Sequence, residues 1–441
     1  MLRDLPGPRG LPILGMAPKF FSDPFGYAAE VARHGDLVRV PFPGAPLIYV
    51  THPSLVEQVM VKQARDIVKG RFMSRVEIVV GQGSFIAEGD AWRRQRLRMA
   101  PAFRPALVAQ MAPGMAALAQ EAVGGWQDGE VRTFNDDMMA LTLEIALRAL
   151  FGATASEEDV ATVREAFLDI SDFFSRVGEV ILQLPMWVPT PANRRFQRAR
   201  AALDGVVSRI LAQRRAAAVE HDDLLGRLMR GRDDEEQGMS EALLQDEVRT
   251  LLLAGHETTA VALTTTGYLL AHHPAVQAGV FEEVAALGGA PISTDTPLPR
   301  TQAALDEAMR LYPPVPAWGR EPVRDISLGG HTIPAGTTLL VAPFIVHRRE
   351  DLFSDPLRYD PGRWTPAFRK ALPRFSFFPF GGGPRVCIGA SMAMLEARIV
   401  LAEMLRRFAL EPADDAPLTL FPSLTLRPTK PVRVRLRARV A

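Results

Sequence analysis

The 441-residue chain contains one cysteine, Cys387. It stands in "FPFGGGPRVCIG", residues 378–389, behind three glycines, a proline and an arginine. The next stretch, "ASMAMLEARIVLAEMLRRF", has strong helical periodicity. A thiol just ahead of a helix N-terminus lies where backbone N–H groups and the helix dipole favour a thiolate. A buried structural cysteine is the ordinary alternative. A phosphate-cradling loop is another, but the run lacks a Gly-Lys-Ser/Thr ending and the Gly-x-Gly-x-x-Gly spacing. Glycines that admit something large and flat, an arginine that can meet an anion, and a thiolate together suit a ligand to haem iron. Three more pairs combine groups that could do chemistry. Glu257 and Thr258 adjoin in "LLLAGHETTA", Glu307 and Arg310 stand at i, i+3 in "EAMR", and Trp92 and Arg96 stand at i, i+4 in "AWRRQR".

These residues need a large helical scaffold. Hydrophobic residues make up 47%, enough for a sizeable core, and the net charge of +1 gives no reason to expect nucleic acid or an anionic membrane as partner. One cysteine makes no internal disulfide, which suits a cytoplasmic protein. The N-terminal "MLRDLPGPRGLPILGMAPKF" is broken by Pro and Gly, so no signal-peptide core or membrane anchor is expected. The longest apolar stretch, 251–271, carries His256 and Glu257 and reads as a buried helix. Ser240 is placed to cap it, after an acidic turn at 231–240. Runs 37–42 and 47–52 read as a hairpin. Asp90 is expected to cap the helix that carries Trp92 and Arg96. Further helices are expected around 105–124, 134–151, 156–182 and 193–216, with the prolines of "QLPMWVPTPANRR" interrupting the last two. Residues 328–344 and the alternating C-terminus read as small sheets. The expected fold class is mainly α with small β-sheets. With no composition break, residues 1–441 read as one domain.

Phe380, Gly383, Arg385, Cys387 and Gly389 fill every fixed place of the FxxGxRxCxG haem-binding motif, and the chain resembles the cytochromes P450. "EAMRLYPPVP" is similar to the family's ExxR helix. That implies a buried triad of Glu307, Arg310 and Arg363, the last in "YDPGRW", where Gly362 replaces the family's usual glutamate and leaves one supporting contact unassigned. Read alone, Glu307–Arg310 would be a surface ion pair worth at most about 1 kcal/mol. Ala254 to Thr259 match the family's Ala/Gly-Gly-x-acid-Thr motif. The resemblance implies a locally loosened turn, with Glu257 passing protons inward and Thr258 hydrogen-bonding dioxygen; Gly costs about 1 kcal/mol against Ala in a helix. His256 is not expected to be a ligand. Trp92 and Arg96 match the family's Trp-x-x-x-Arg pattern and, with Arg385 and Arg320, are candidates to hold the haem propionates.

The resemblance implies a helical prism around a buried haem b, held by Cys387, in a single haem domain with no fused reductase. It implies a monooxygenase that inserts one atom of dioxygen into a C–H bond of an apolar small molecule: a carotenoid or terpenoid, a fatty acid or a steroid. The overall character looks most like fatty-acid and carotenoid hydroxylases, and a long isoprenoid is the expected substrate. Electrons are expected from a ferredoxin and its reductase, docked by Arg369, Lys370, Arg374, Arg406 or Arg407. Candidate pocket residues are Phe72, Phe85, Ile86, Met186, Trp187, Val315 and Trp318, with 172–192 as a gate. A haem-thiolate sensor without turnover and a peroxide-using relative are the alternatives, and the Glu257–Thr258 pair weighs against both.

Overall fold

Runs 37–42 and 47–52 pair as their alternation requires. Leu37–Val40 and Leu47–Val50 form an antiparallel hairpin, Leu37 opposite Val50 and Val40 opposite Leu47. The computed structural model describes residues 2–70, 73–152, 156–175, 185–216, 223–231 and 238–439. Two compact units emerge, each assembled from separated segments. Their boundaries fall inside the Ser74–Val80 and Pro299–Leu311 helices, just after Cys387 and at either end of Leu420–Arg427. Composition therefore gives no sign of them.

The first unit comprises Met1–Arg75, Ala303–Cys387 and Leu420–Arg427. Its five-stranded sheet runs Leu37–Val40, Leu47–Val50, Leu339–Val341, Trp318–Pro322, Ile67–Val68. The 328–344 region divides. Ile326–Leu328 pairs with His331–Ile333 as a separate ribbon, while Leu339–Val341 joins the sheet parallel to Leu47–Val50. Ile48, Val50, Leu339 and Val341 are buried on this sheet and pack with Phe375 and Phe378. Each such side chain contributes about 1.5–3 kcal/mol on burial. The core thus reaches the start of the cysteine loop.

The second unit comprises Val76–Gln302, Ile388–Thr419 and Pro428–Ala441. Its central element is the Glu241–His272 helix, packed most extensively against Phe134–Phe151. Ser240 caps it as expected, its hydroxyl accepting from the Leu243 N–H at 3.2 Å. The helix carrying Trp92 and Arg96 begins at Gly89, with Glu88 in the cap position and no side-chain cap, so Asp90 sits in the first turn instead. Gly89 adopts φ +54°, a conformation open to glycine, and the helix starts two residues early. The expected 105–124 helix is two, Pro105–Ala109 and Ala112–Gly124. The 156–182 helix spans Glu157–Ser175; residues 176–184 lie outside the described residues, as do 232–237 of the acidic turn and Phe72. Pro191 opens the Pro191–Ala216 helix at its first position, where a missing N–H costs nothing. The C-terminal strand Arg433–Ala438 lies between Val131–Thr133 and Phe408–Pro412.

One helix start in this unit makes stability pH-dependent. Asp159 accepts from the Ser156 N–H and hydroxyl, both at 2.9 Å, and from Arg209 of the Pro191–Ala216 helix at 3.0 Å. The Arg209 bond first, with the Ser156 bonds, outweighs burial and pulls the Asp159 carboxyl down to about 2. A depressed carboxyl stabilises the fold above its ordinary range, and that stability is lost as pH falls from about 4 toward 2. Asp159→Asn is expected to lose on the order of 2 kcal/mol at neutral pH. Thermal unfolding followed against pH should then lack that acid limb.

Candidate active site

In the first unit, the Cys387 N–H donates to the Phe380 carbonyl at 3.0 Å and closes the Gly-rich loop. The thiol is exposed. Gly381 and Gly383 adopt φ +72° and +67°, which L side chains rarely tolerate. A Cβ on Gly382 would lie 2.3 Å from the Phe375 ring, and one on Gly383 would lie 2.0 Å from the Met60 carbonyl oxygen. These two glycines are therefore demanded by the unit's own packing. The sequence pointed only to clearance for a flat ligand.

Glu307 and Arg310 form no surface pair. Both are fully buried. Arg310 donates to Glu307 from Nε at 2.8 Å and from Nη2 at 2.9 Å. Arg363 Nε completes the triad at 2.9 Å, and Trp364 Nε1 and the Asp360 N–H add bonds at 2.9 and 3.0 Å. Gly362 is exposed, and its N–H bonds Asp360 at 3.1 Å, so the triad closes without a glutamate there. Arg310 also donates to the His347 carbonyl at 2.9 Å, and His347 Nε2 accepts from the Phe378 N–H at 3.0 Å. Burial first, then the charges of Arg310 and Arg348, hold the His347 ring well below its usual pKa and hence neutral. The triad thus grips the backbone that leads into the cysteine loop. Sequence reading missed His347, because its contribution is a carbonyl and a ring nitrogen that no spacing advertises.

Arg320 lies on the Trp318–Pro322 strand, opposite Leu339. With Arg385 it lines one open hollow. Lys69 lines the same hollow, a third cation that the sequence reading did not single out. Val315 and Trp318 are half-buried nearby in sequence, with the Trp318 ring 5.7 Å from that of Phe378.

In the second unit, the Glu241–His272 helix is buried on almost every side. The exceptions near its middle are Leu251, Ala254, Gly255 and Thr258 at i, i+3, i+4 and i+7, one accessible stripe. A Cβ on Gly255 would meet nothing within 4 Å. The helix is continuous through the motif, contrary to the loosened turn expected. Thr258 donates to the Ala254 carbonyl at 2.9 Å and Thr259 to the Gly255 carbonyl at 3.1 Å, adding a second bond to each. With its one hydroxyl hydrogen given to Ala254, Thr258 offers a lone pair to the accessible side. Glu257 is buried. His256 is a core residue, its Nδ1 2.6 Å from the Leu252 carbonyl and its ring 4.7 Å from Phe167. Trp92 and Arg96 are both half-buried on the Gly89–Met99 helix. Phe85 and Ile86 are half-buried, whereas Trp187 is 81% exposed.

The sequence matches the family model described as Cytochrome P450 over residues 5–436. The chain belongs to the cytochrome P450 family. Cyclooctat-9-en-7-ol 5-monooxygenase of Streptomyces melanosporofaciens is 33% identical, covering 93% of this chain and 90% of that protein. Cyclooctatin synthase of the same organism is 34% identical, covering 95% and 92%. Pentalenene oxygenase of Streptomyces avermitilis is 30% identical, covering 98% and 97%. Among solved structures, a retinoic acid-bound cyanobacterial cytochrome P450 superposes with a TM-score of 0.86 at 26% identity, covering 98% of this chain and 99% of that one. The haem domain of cytochrome P450DA gives 0.87 at 26%, covering 99% and 98%.

As a cytochrome P450 the protein is an oxidoreductase that carries haem b and uses dioxygen, an apolar substrate and a redox partner. Its residues fit that cofactor. The first unit offers an exposed thiol on a rigid loop and a hollow lined by Lys69, Arg320 and Arg385 that suits carboxylates. Among the described residues no helix is long and apolar enough to cross a membrane.

Proposed function

We propose that this cytochrome P450 hydroxylates a cyclic terpenoid at a C–H bond, with electrons from a separate ferredoxin and its reductase. The observation that carries the substrate class is the match, at 30–34% identity over nine-tenths or more of both chains, to oxygenases named for cyclooctatin and pentalenene chemistry. The half-buried apolar residues Phe85, Ile86, Val315 and Trp318 support an apolar guest. The relatives move the proposal from a long isoprenoid to a compact ring system. The family match runs through segments of both units, which supports reading 1–441 as one haem domain.

When bound, haem supplies the activation of dioxygen and the C–H oxidation. We assign the protein's part as follows. Cys387 holds the iron as thiolate, on the loop that Phe380, Gly383 and Gly389 shape. Lys69, Arg320 and Arg385, with Trp92 and Arg96, hold the propionates. Ala254 and Gly255 leave room beside the cofactor, Glu257 passes protons, and Thr258 receives them at its hydroxyl oxygen. For ferredoxin docking, Arg369, Arg374 and Arg406 are already ion-paired with Asp306, Glu57 and Glu403. Lys370 and Arg407 carry no ion pair among the described residues and are the stronger docking candidates.

A ligand panel tests the proposal. Cyclic terpenoid alcohols and hydrocarbons, fatty acids and linear carotenoids are titrated against the haem protein, and binders are incubated with ferredoxin, reductase and oxygen. A cyclic terpenoid is expected to shift the haem spectrum and return with one added oxygen. A fatty acid that binds and turns over where no cyclic terpenoid does would sink the assignment.

A further inference from the structure

The turn that bears Glu257 and Thr258 is held from behind by a residue on another helix. Thr142, on Phe134–Phe151, is fully buried. Its hydroxyl lies 2.8 Å from the Met138 carbonyl on its own helix and 3.0 Å from the His256 carbonyl on the Glu241–His272 helix. A buried helical threonine ordinarily bonds back only to its i−4 carbonyl, which here is Met138. The one hydroxyl hydrogen is shared between that carbonyl and the His256 carbonyl, which lies one residue before Glu257.

The His256 side chain is held as well, by Leu252 and by Phe167 of the Glu157–Ser175 helix. The next two carbonyls back along the chain, Gly255 and Ala254, carry the hydroxyl bonds of Thr259 and Thr258. Those second bonds let i→i+4 amide bonds open at this turn without stranding a carbonyl. A turn that can open cheaply needs an external hold to keep one rotational setting. Thr142 and the His256 ring are placed to supply it.

We infer that Thr142 is a positioning residue for the proton-delivering turn, its hydroxyl fixing the His256 carbonyl and thereby the direction of Glu257 and Thr258. The inference rests on the reading of Glu257 and Thr258 as the proton pair. Thr142 is fully buried and acts through the helix that carries the pair.

Thr142→Val, Thr142→Ser and Thr258→Ala are compared as haem-loaded full-length proteins of equal haem content. Two quantities are read: amide hydrogen exchange across 254–260, and hydrogen peroxide released per oxygen consumed with pentalenene as probe. Thr142→Val is expected to speed exchange at this turn by about three- to tenfold, the scale of one lost neutral hydrogen bond, and to raise peroxide release. Thr142→Ser, which keeps the hydroxyl, is expected to stay near the parent in both. Unchanged exchange in Thr142→Val overturns the inference. So does a rise in peroxide for Thr258→Ala without one for Thr142→Val, or a Thr142→Ser protein that behaves like Thr142→Val. If Thr258→Ala leaves peroxide release unchanged, the proton-pair reading fails and this inference falls with it; exchange still reports separately whether Thr142 pins the turn.

Discussion

Replacing Cys387 with alanine is expected to abolish the red-shifted Soret band of the reduced carbon monoxide complex and with it all oxygenase turnover. The argument is local. Cys387 is exposed, and its backbone N–H is bonded to the Phe380 carbonyl. Alanine keeps that N–H. Gly381 and Gly383 keep their left-handed conformations and Gly382 its seat on Phe375. The fold of the loop should therefore survive, and what is lost is the thiolate and its electron donation to iron. Circular dichroism and the thermal midpoint check that the fold is retained. A band that persists unshifted in Cys387→Ala would remove this residue as the ligand. A band lost together with the fold would show that the side chain holds the loop, which its exposure argues against.

The parts of the site that sequence made legible are those where chemistry demands particular residues at short fixed spacing. Cys387 with its glycines, the 254–259 run and Glu307–Arg310 are of that kind. So is the long buried helix, whose Ser240 cap and apolar length were both visible. What stayed hidden depends on contacts between distant segments. Lys69 meets Arg320 and Arg385 only because a two-residue strand, Ile67–Val68, docks on Trp318–Pro322. Thr142 looks like any helical threonine until Phe134–Phe151 is laid on its partner. Local propensity also misled. Glycine at 255 suggested a loosened turn, but the helix runs unbroken through it. The loop glycines suggested clearance for a flat ligand, while Met60 and Phe375 show that they permit close packing. Propensity describes what a residue allows, and the neighbours decide what it does.

Glu307 is where a single substitution should cost most stability. It accepts from Arg310 twice and from Arg363, Trp364 and the Asp360 N–H, all while fully buried. Glu307→Gln keeps the size, removes the charge, and turns an NH₂ donor toward groups that are themselves donors. Arg310 is then left as a buried cation without a counter-charge, among neutral acceptors that include the His347, Pro356 and Arg358 carbonyls. Removing one partner of a buried pair costs about 3–5 kcal/mol, a large part of the roughly 5–15 kcal/mol that holds a domain together. The damage should also travel. Arg310 holds the His347 carbonyl, His347 takes the Phe378 N–H, and Phe378 enters the cysteine loop. Glu307→Gln is therefore expected to lower the urea midpoint and to purify with less haem than the parent. A double variant separates the two causes. Pairing Glu307→Leu with Arg310→Met removes both charges together, and apolar replacement of a buried pair is often close to neutral. It should be more stable than Glu307→Gln. It should not reach the parent, because Arg363 loses its carboxylate and keeps only the Ser354 carbonyl at 2.9 Å. If Glu307→Gln matches the parent in both midpoint and haem content, the triad does not carry the load assigned to it. If the double variant is stable but still sheds haem, the triad's role lies in shaping the path to Cys387 through His347 more than in the free energy of the fold.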